Sequence, residues 1–418
     1  MLASKLPGSG ESRLKDVTSF PLSTNRFYNL ILLGPKIRLQ KAANRFLVWF
    51  VPALFFTECN AYWLTSASAT VLFACTWLML SPGLILSRSM VSDLLAILEG
   101  AWQLYTGQIA HVDFHTAVGT LPFAITALAF IVVGVKPLAF VVGECLSAAV
   151  FMVISIVVVK DRLPALPAFL FIAMCVVIPL VPGGIIVWDY PSVFTFAMGY
   201  NRFGWTALSI LYLLLFIEPR ESRDHRWIDL GAGSILMLAL FYLKITYLFV
   251  AICATCLALL TSRHIRQNWP LWCGMLLGVL VLVFSPQNGD YRADILSAAG
   301  HIRSDLVGLV KLAVRVGAEQ MWVAGEVIIL FYFWRQRYVP FGDVLFGLYV
   351  WISGLFLLSQ NAQFITIPLY AVLALLFYMR VAHRLRAAAP PRDSTLVSCT
   401  MICVLLPLLL VCLPLCPP

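Results

Sequence analysis

The sequence predicts an all-α membrane protein, a bundle of about 12–13 spanning helices with amphipathic helices lying along the membrane interface. Three observations predict it. Of the 418 residues, 61% are apolar and 12% are charged, against roughly 25% charged in an ordinary soluble domain. Apolar runs recur from Phe46 almost to the C-terminus with no soluble-looking stretch between them. None shows the alternation of a barrel strand, and in lipid every backbone amide must be satisfied within its own segment, so the runs are helices.

Taken in order, residues 1–45 are a basic tail, with Lys5, Arg13, Lys15, Arg26, Lys36, Arg38, Lys41 and Arg45 against Glu11 and Asp16. Its apolar onset comes too late for a cleaved signal peptide, and the tail is expected in the cytoplasm. Residues 46–418 form the transmembrane domain. Segment 46–64 carries Glu58 and Asn60 inside it. A central charge costs about 2.5–3.5 kcal/mol on insertion scales, so a short, tilted or in-plane segment is expected there. The spans expected after it are 67–86, 119–135, 138–159, 163–182, 204–217, 230–243, 246–262, 269–284, 321–334, 344–358, 362–379 and 396–416.

The net charge of +9 is spread through short loops between apolar runs, which argues for the positive-inside rule and against a nucleic-acid partner. On that rule the tail and the loops at 220–226, 263–266, 335–337 and 380–392 are cytoplasmic. Counting back from 380–395 makes 359–361, 285–320, the turn around Lys244 and 183–203 extracytoplasmic. Counting further puts 87–118 in the cytoplasm, although that loop has a single basic residue, Arg88. A loop at 87–118 on the outer side requires that one segment between 119 and 182 be re-entrant or wrongly divided. All eleven cysteines lie in or beside apolar runs, so the Cys253/Cys256 pair reads as small packing residues of a span and no disulfide is called for.

Three connections are long enough to carry chemistry: 87–118, 183–203 and 285–320. In the first, Val91, Leu94, Leu95, Leu98, Ala101, Trp102 and Tyr105 follow the i, i+3, i+4, i+7 rhythm of an amphipathic helix that Gly107 can end. Flanked by spans, such a helix lies in the interface. In the third, Leu306, Leu309, Val310, Ala313 and Val316 repeat the pattern beside Arg303, Lys311 and Arg315.

Directly after the first helix comes GQIAHVDFHTAVGTLPF, with His111, Asp113 and His115 in one loop. A carboxylate there can take a proton from a hydroxyl or, with the imidazoles, hold a divalent cation such as Mg or Mn. The plain alternative is a polar loop with interfacial histidines. The second loop, VPGGIIVWDYPSVFTFAMGYNRFGW, supplies Asp189, Asn201 and Arg202. Arg202 presents a planar fork suited to phosphate, or else anchors a helix at the interface. Lys244 interrupts FYLKITYLF, where an ammonium must reach water, headgroups or an anion. Arg292 in DYRAD is a further basic candidate, and Gln360 and Asn361 in SQNAQ offer uncharged partners for a polyol. There is no Walker motif, GxSxG or HExxH, so ATP hydrolysis, serine hydrolase and zincin chemistry have no support.

An interfacial helix, a short turn and an Asp just before a span resemble the first external loop of the GT-C glycosyltransferases. The run DLLAILEGAWQLYTGQIAHVDFHTAVG with the later YNRFGW is similar to bacterial membrane proteins associated with that superfamily. The detailed likeness covers residues 60–200. It implies a GT-C-like bundle in the bacterial cytoplasmic membrane and a sugar carried on a polyprenyl phosphate. It also implies a glycan, lipid or protein acceptor, with Asp113 as the base that activates the acceptor hydroxyl. Asp189 stands where many such enzymes have a second acidic residue, and Lys244 resembles a lysine that such proteins often show; contact with the phosphate is expected of it here. The acidic pair common in the superfamily is absent, because Asp113 is followed by Phe114. Two other classes fit the same composition. A secondary transporter would use the intramembrane Glu58, Glu144 and Lys244, and a polysaccharide polymerase or ligase would use Arg292, Arg303 and Arg315.

Overall fold

The structure is a computed structural model that describes residues 60–83, 85, 91–182, 184–187, 190–194, 196, 198–220, 225–302, 314, 321–337, 339–359 and 368–387. All of them belong to the unit Val51–Pro418; the unit Met1–Phe50, with the whole of the basic tail 1–45, lies outside the described residues.

The helices are α1 (Ala61–Leu80), α2 (Val91–Tyr105), α3 (Leu121–Val133), α4 (Leu138–Val159), α5 (Ala165–Leu180), α6 (Gly199–Phe216) and α7 (Arg226–Leu243). They continue with α8 (Ile245–Thr261), the short α9 (Arg263–Gln267), α10 (Trp269–Phe284), α11 (Gly289–Ile302), α12 (Met321–Arg335), α13 (Phe341–Ser359) and α14 (Tyr370–Ala387). The apolar runs read from sequence each correspond to one of these wherever the residues are described. The span expected at 67–86 begins earlier, because the Asn60 side chain accepts from the Tyr62 N–H at 2.9 Å and so caps a helix starting at Ala61. The span expected at 396–416, most of 46–64, and the amphipathic stretch at 303–316 lie outside the described residues, apart from Val314 in that stretch.

Among the described residues, α1, α4, α7 and α13 are long and apolar enough to cross a bilayer. The pair α10 and α11, bent by 59° at Ser285, makes a fifth candidate. The chain is thus a multi-pass membrane protein, with fewer full-length spans than the apolar runs suggested, because several runs are short helices.

One departure from the all-α expectation is a two-stranded antiparallel ribbon, β1 (Gly184–Val187) and β2 (Tyr190–Phe194), with Ile185 opposite Val193. Its sequence, GIIV then YPSVF, is rich in β-branched and aromatic residues, which fit a pleated surface better than a helix.

The bundle has two ends, identified by what the loops bond to. At one end Arg162, after α4, donates through Nε to Ile217 O (2.9 Å) at the close of α6 and through Nη2 to Asp229 Oδ2 (2.7 Å) at the start of α7. There too His225 Nε2 meets Asp161 (3.0 Å), His264 meets Leu214 O (3.1 Å), and Arg380 meets Asp343 (3.0 Å). At the other end lie the start of α6, the close of α5, the α7–α8 turn at Lys244, and α11.

Helix α6 is the central post, packed on α4, α5, α7, α8 and α14, and of Gly199–Phe216 every residue but Tyr200 is buried. Close approach explains Gly204, where a Cβ would lie 2.6 Å from the Tyr247 ring.

Helix α3 is the informative exception. Its 13 residues span about 20 Å at 1.5 Å per residue, short of the roughly 30 Å of a bilayer core. A Cβ on Gly143, in the second turn of α4, would touch Ile125 of α3, and a Cβ on Gly100 of α2 would touch the Phe123 ring. Just before α3, Gly119 N–H donates to Leu243 O at 3.0 Å, at the Lys244 end. So α3 doubles back along the first turns of α4 and stays at that end, together with α2. The division of 119–135 as a full span is therefore corrected, and loop 106–120 lies at the same end as the ribbon and the Lys244 turn.

Candidate functional site

The site is built where that loop docks. Leaving α2 through Gly107 at φ +95°, the chain turns through His111, whose φ of +71° is the left-handed region. Asp113 holds this turn: its Oδ2 accepts from the Ile109 N–H at 2.7 Å, while its own N–H donates to Ile109 O at 2.9 Å. The Asp113 side chain is exposed and enters no ion pair among the described residues.

The turn sends both imidazoles toward α11. His111 Nδ1 lies 2.8 Å from Asp294 Oδ2, and His115 Nδ1 lies 2.8 Å from Asp294 Oδ1. The Thr116 N–H adds a third contact to Oδ2 at 3.2 Å. Both carboxylate oxygens of Asp294 are thus engaged by the histidine loop. The two histidines differ in exposure, their side chains being 6% and 75% accessible. His111 packs on Tyr291, the rings tilted by 36° with centroids 4.5 Å apart, and Tyr291 OH donates to Phe241 O at 3.0 Å near the end of α7.

Lys244 caps α7 in extended backbone between α7 and α8. Its Nζ sits 5.8 Å from the centroid of Tyr200, in the first turn of α6, and burial pushes its ammonium down to about 8. Gly119 ties the histidine loop to this turn: a Cβ there would lie 2.1 Å from Tyr242 O.

Other expected residues are placed differently. Arg202 is buried in α6, bonded to Glu144 of α4 and, through Nη1, to Val181 O at 2.6 Å. Asn201 is buried beside Tyr247, whose OH lies 3.3 Å from its carbonyl. Arg292 folds back over the end of α10, donating to Val283 O (2.6 Å) and Ser285 O (2.8 Å). Asp189, Gln360 and Asn361 lie outside the described residues. A small cavity, with room for about one water molecule, lies between α2, α3, α4 and α6, with Glu144, Gly199 and Tyr200 in its wall.

No protein-family model, curated protein or solved structure matches this chain. The chemistry therefore has to be argued from the site. Among the described residues no three His, Cys, Asp or Glu side chains are arranged to hold a metal ion. His111, His115 and Asp294 do meet, but ring nitrogen to carboxylate oxygen, so each satisfies the other rather than facing a shared empty point.

Nothing in the sequence singles out Asp294 and Tyr291, although DYRAD contains both. Their i, i+3 spacing puts them on one helix face. Their partners, however, are 183 and 179 residues away for the two histidines, a separation that no local pattern reveals.

Proposed function

We propose that this chain is a membrane glycosyltransferase of GT-C type. It moves a sugar from a polyprenyl-phosphate donor to an acceptor hydroxyl at the outer face of the bacterial cytoplasmic membrane. The observation that carries the reading is convergence. Loop 106–120, the Lys244 turn and α11 come from distant parts of the chain and gather their polar groups at one end of an apolar bundle.

The surroundings suit a lipid-borne substrate. Helix α2 buries Leu94, Ile97 and Ala101 against its neighbours and leaves Val91, Leu95, Trp102 and Tyr105 exposed, an apolar edge with aromatic rings of the kind found at membrane interfaces. Lys160, Arg162, Arg220, Arg226, Arg263 and Arg266 belong to the opposite end, which on the positive-inside rule faces the cytoplasm. A helix α3 confined to one end supports reading the histidine loop on the outer side, together with the Lys244 turn.

In this reading Lys244 stands beside the departing phosphate. The sugar C1–O bond to phosphate breaks with its electron pair going to the phosphate oxygen. A preorganised cation in a poorly solvated turn stabilises that charge more than water would. The test is turnover of labelled polyprenyl-phosphate sugars by purified protein in liposomes. Lys244→Ala is expected to lose most turnover, and Lys244→Arg to keep a larger share. Absence of transfer by the wild type from a panel of hexosyl and pentosyl donors overturns the reading.

One observation favours a transporter as second reading. Glu144 Oε2 is buried without a hydrogen-bond partner beside the small cavity, as an ion-coupling carboxylate would be. Proton-coupled uptake into liposomes, lost in Glu144→Gln, would support it.

A further inference from the structure

Resting on the glycosyltransferase reading, we propose that the acceptor proton is taken by His115, with Asp294 as its positioning residue, while Asp113 serves to hold the turn. The geometry gives three reasons.

First, Asp294 fixes the tautomer. An ionised carboxylate only accepts hydrogen bonds, so the ring nitrogens that lie 2.8 Å from its two oxygens must carry the hydrogens. Each ring then has its basic lone pair on Nε2, the nitrogen turned away from the carboxylate. Second, exposure separates the two rings. His111 Nε2 is buried and its ring is clasped against Tyr291, whereas the His115 side chain is 75% accessible. His115 can therefore meet an acceptor arriving from water, while His111 and the Thr116 N–H hold Asp294 from the other side. Third, Asp113 Oδ2 is already engaged by the Ile109 N–H at 2.7 Å, and a base there would give up the bond that shapes the loop.

The step balances. The acceptor hydroxyl loses its proton to His115 Nε2 as its oxygen bonds to the sugar C1. The C1–O bond to phosphate breaks and its electron pair leaves with polyprenyl phosphate. Asp294 then faces an imidazolium at Nδ1 and stabilises it. The cluster thus joins an orienting carboxylate to an exposed imidazole at the end of the bundle where Lys244 also stands.

The experiment uses the full chain in liposomes with the donor that the wild type turns over. His115→Ala is expected to lower kcat about 10²–10⁴-fold, the usual scale for a missing general base, with donor KM little changed and partial recovery on adding imidazole. Asp294→Asn is expected to lower kcat as well, but to cost little more when made in the His115→Ala background, since it acts through that ring. Asp113→Asn, which can still accept from the Ile109 N–H, is expected to respond to neither imidazole nor the His115 background. His115→Ala with turnover near the wild type overturns the inference, and so does a lost activity that imidazole cannot restore while Asp113→Asn is the dead variant. Those outcomes leave the glycosyltransferase reading intact; that reading fails only if the wild type transfers nothing.

Discussion

Gly119→Ala perturbs the docking of the histidine loop at a single point. The added Cβ would lie 2.1 Å from Tyr242 O and 2.4 Å from its carbonyl carbon. Both are backbone atoms that cannot rotate aside. A carbon needs about 3.3 Å from a carbonyl oxygen, so the two strands of chain must part by roughly 1 Å. That separation breaks the Gly119 N–H bond to Leu243 O, worth about 1 kcal/mol net, and the crowding adds about 1–3 kcal/mol. Thr116 and His115 are three and four residues away, so the 2.8 Å contacts to Asp294 are expected to open with it. The assay is mass spectrometry after diethyl pyrocarbonate treatment in detergent, because His111 is 5% exposed in the intact site. In Gly119→Ala its modification is expected to rise severalfold, with a lower thermal midpoint and a loss of transfer on the scale of about 10²-fold. Gly231→Ala is the control, since a Cβ there meets nothing within 4 Å. If His111 stays as protected in Gly119→Ala as in the control, the loop is not docked as described.

Three further predictions follow from the same structure. Single cysteines at Thr106 and Lys136, on either side of α3, are expected to react with an impermeant maleimide from the same side of a sealed vesicle, and one at Arg220 from the other. Labelling of Lys136 with Arg220 would show that α3 crosses. Arg162→Met strands Asp229, whose partner Arg162 is 1% exposed, and is expected to cost about 3–5 kcal/mol, much of it recovered in Arg162→Met with Asp229→Leu. A double variant no more stable than the single would refute the pairing in denaturation measurements. Transfer is expected to fall as pH rises through about 8, where burial places the Lys244 ammonium, and Lys244→Arg is expected to hold its activity above that. Because the unfolded lysine keeps its proton to about 10.4, the unfolded chain binds more protons between those values. Stability contributed by this group therefore rises with pH there, and a fall in the lysine-specific part of the stability would contradict the burial.

Much of the fold was legible because long apolar runs have one solution in lipid. The α4 helix begins and ends where its run does, at Leu138 and Val159. Two local features escaped the reading for physical reasons. Asn60 reads as a polar blemish inside a span until its side chain is seen capping α1. An apolar window at 121–133 reads as a span by composition, and only the approach of its Ile125 to Gly143, of its Phe123 to Gly100, and the Gly119 bond to Leu243 O reveal a helix that turns back. The site was legible in part. HVDFH reads as a chemistry-bearing loop with Asp113 as its carboxylate, since sequence spacing does not say which carboxylate a histidine will meet across 183 residues.

The placement of Arg202 follows from how helices pack in lipid. Neighbouring helices gain little from burying apolar surface against one another there, because the acyl chains are equally apolar, so packing and directional polar contacts fix their register. Helix α6 is held in that way at both ends. Arg202 ties its first turn to Glu144 and Val181 O, and Ile217 O, at its close, is bonded by Arg162. A phosphate that drew Arg202 away would leave Glu144 as an uncompensated buried charge, a cost of about 3–5 kcal/mol before any binding is counted. Lys244 is placed differently: it stands in the turn between α7 and α8, beside the Tyr200 ring, rather than in the interior of a helix. The anion is therefore expected at the α7–α8 turn, with the Arg202–Glu144 pair keeping Tyr200 and the start of α6 in register beside it.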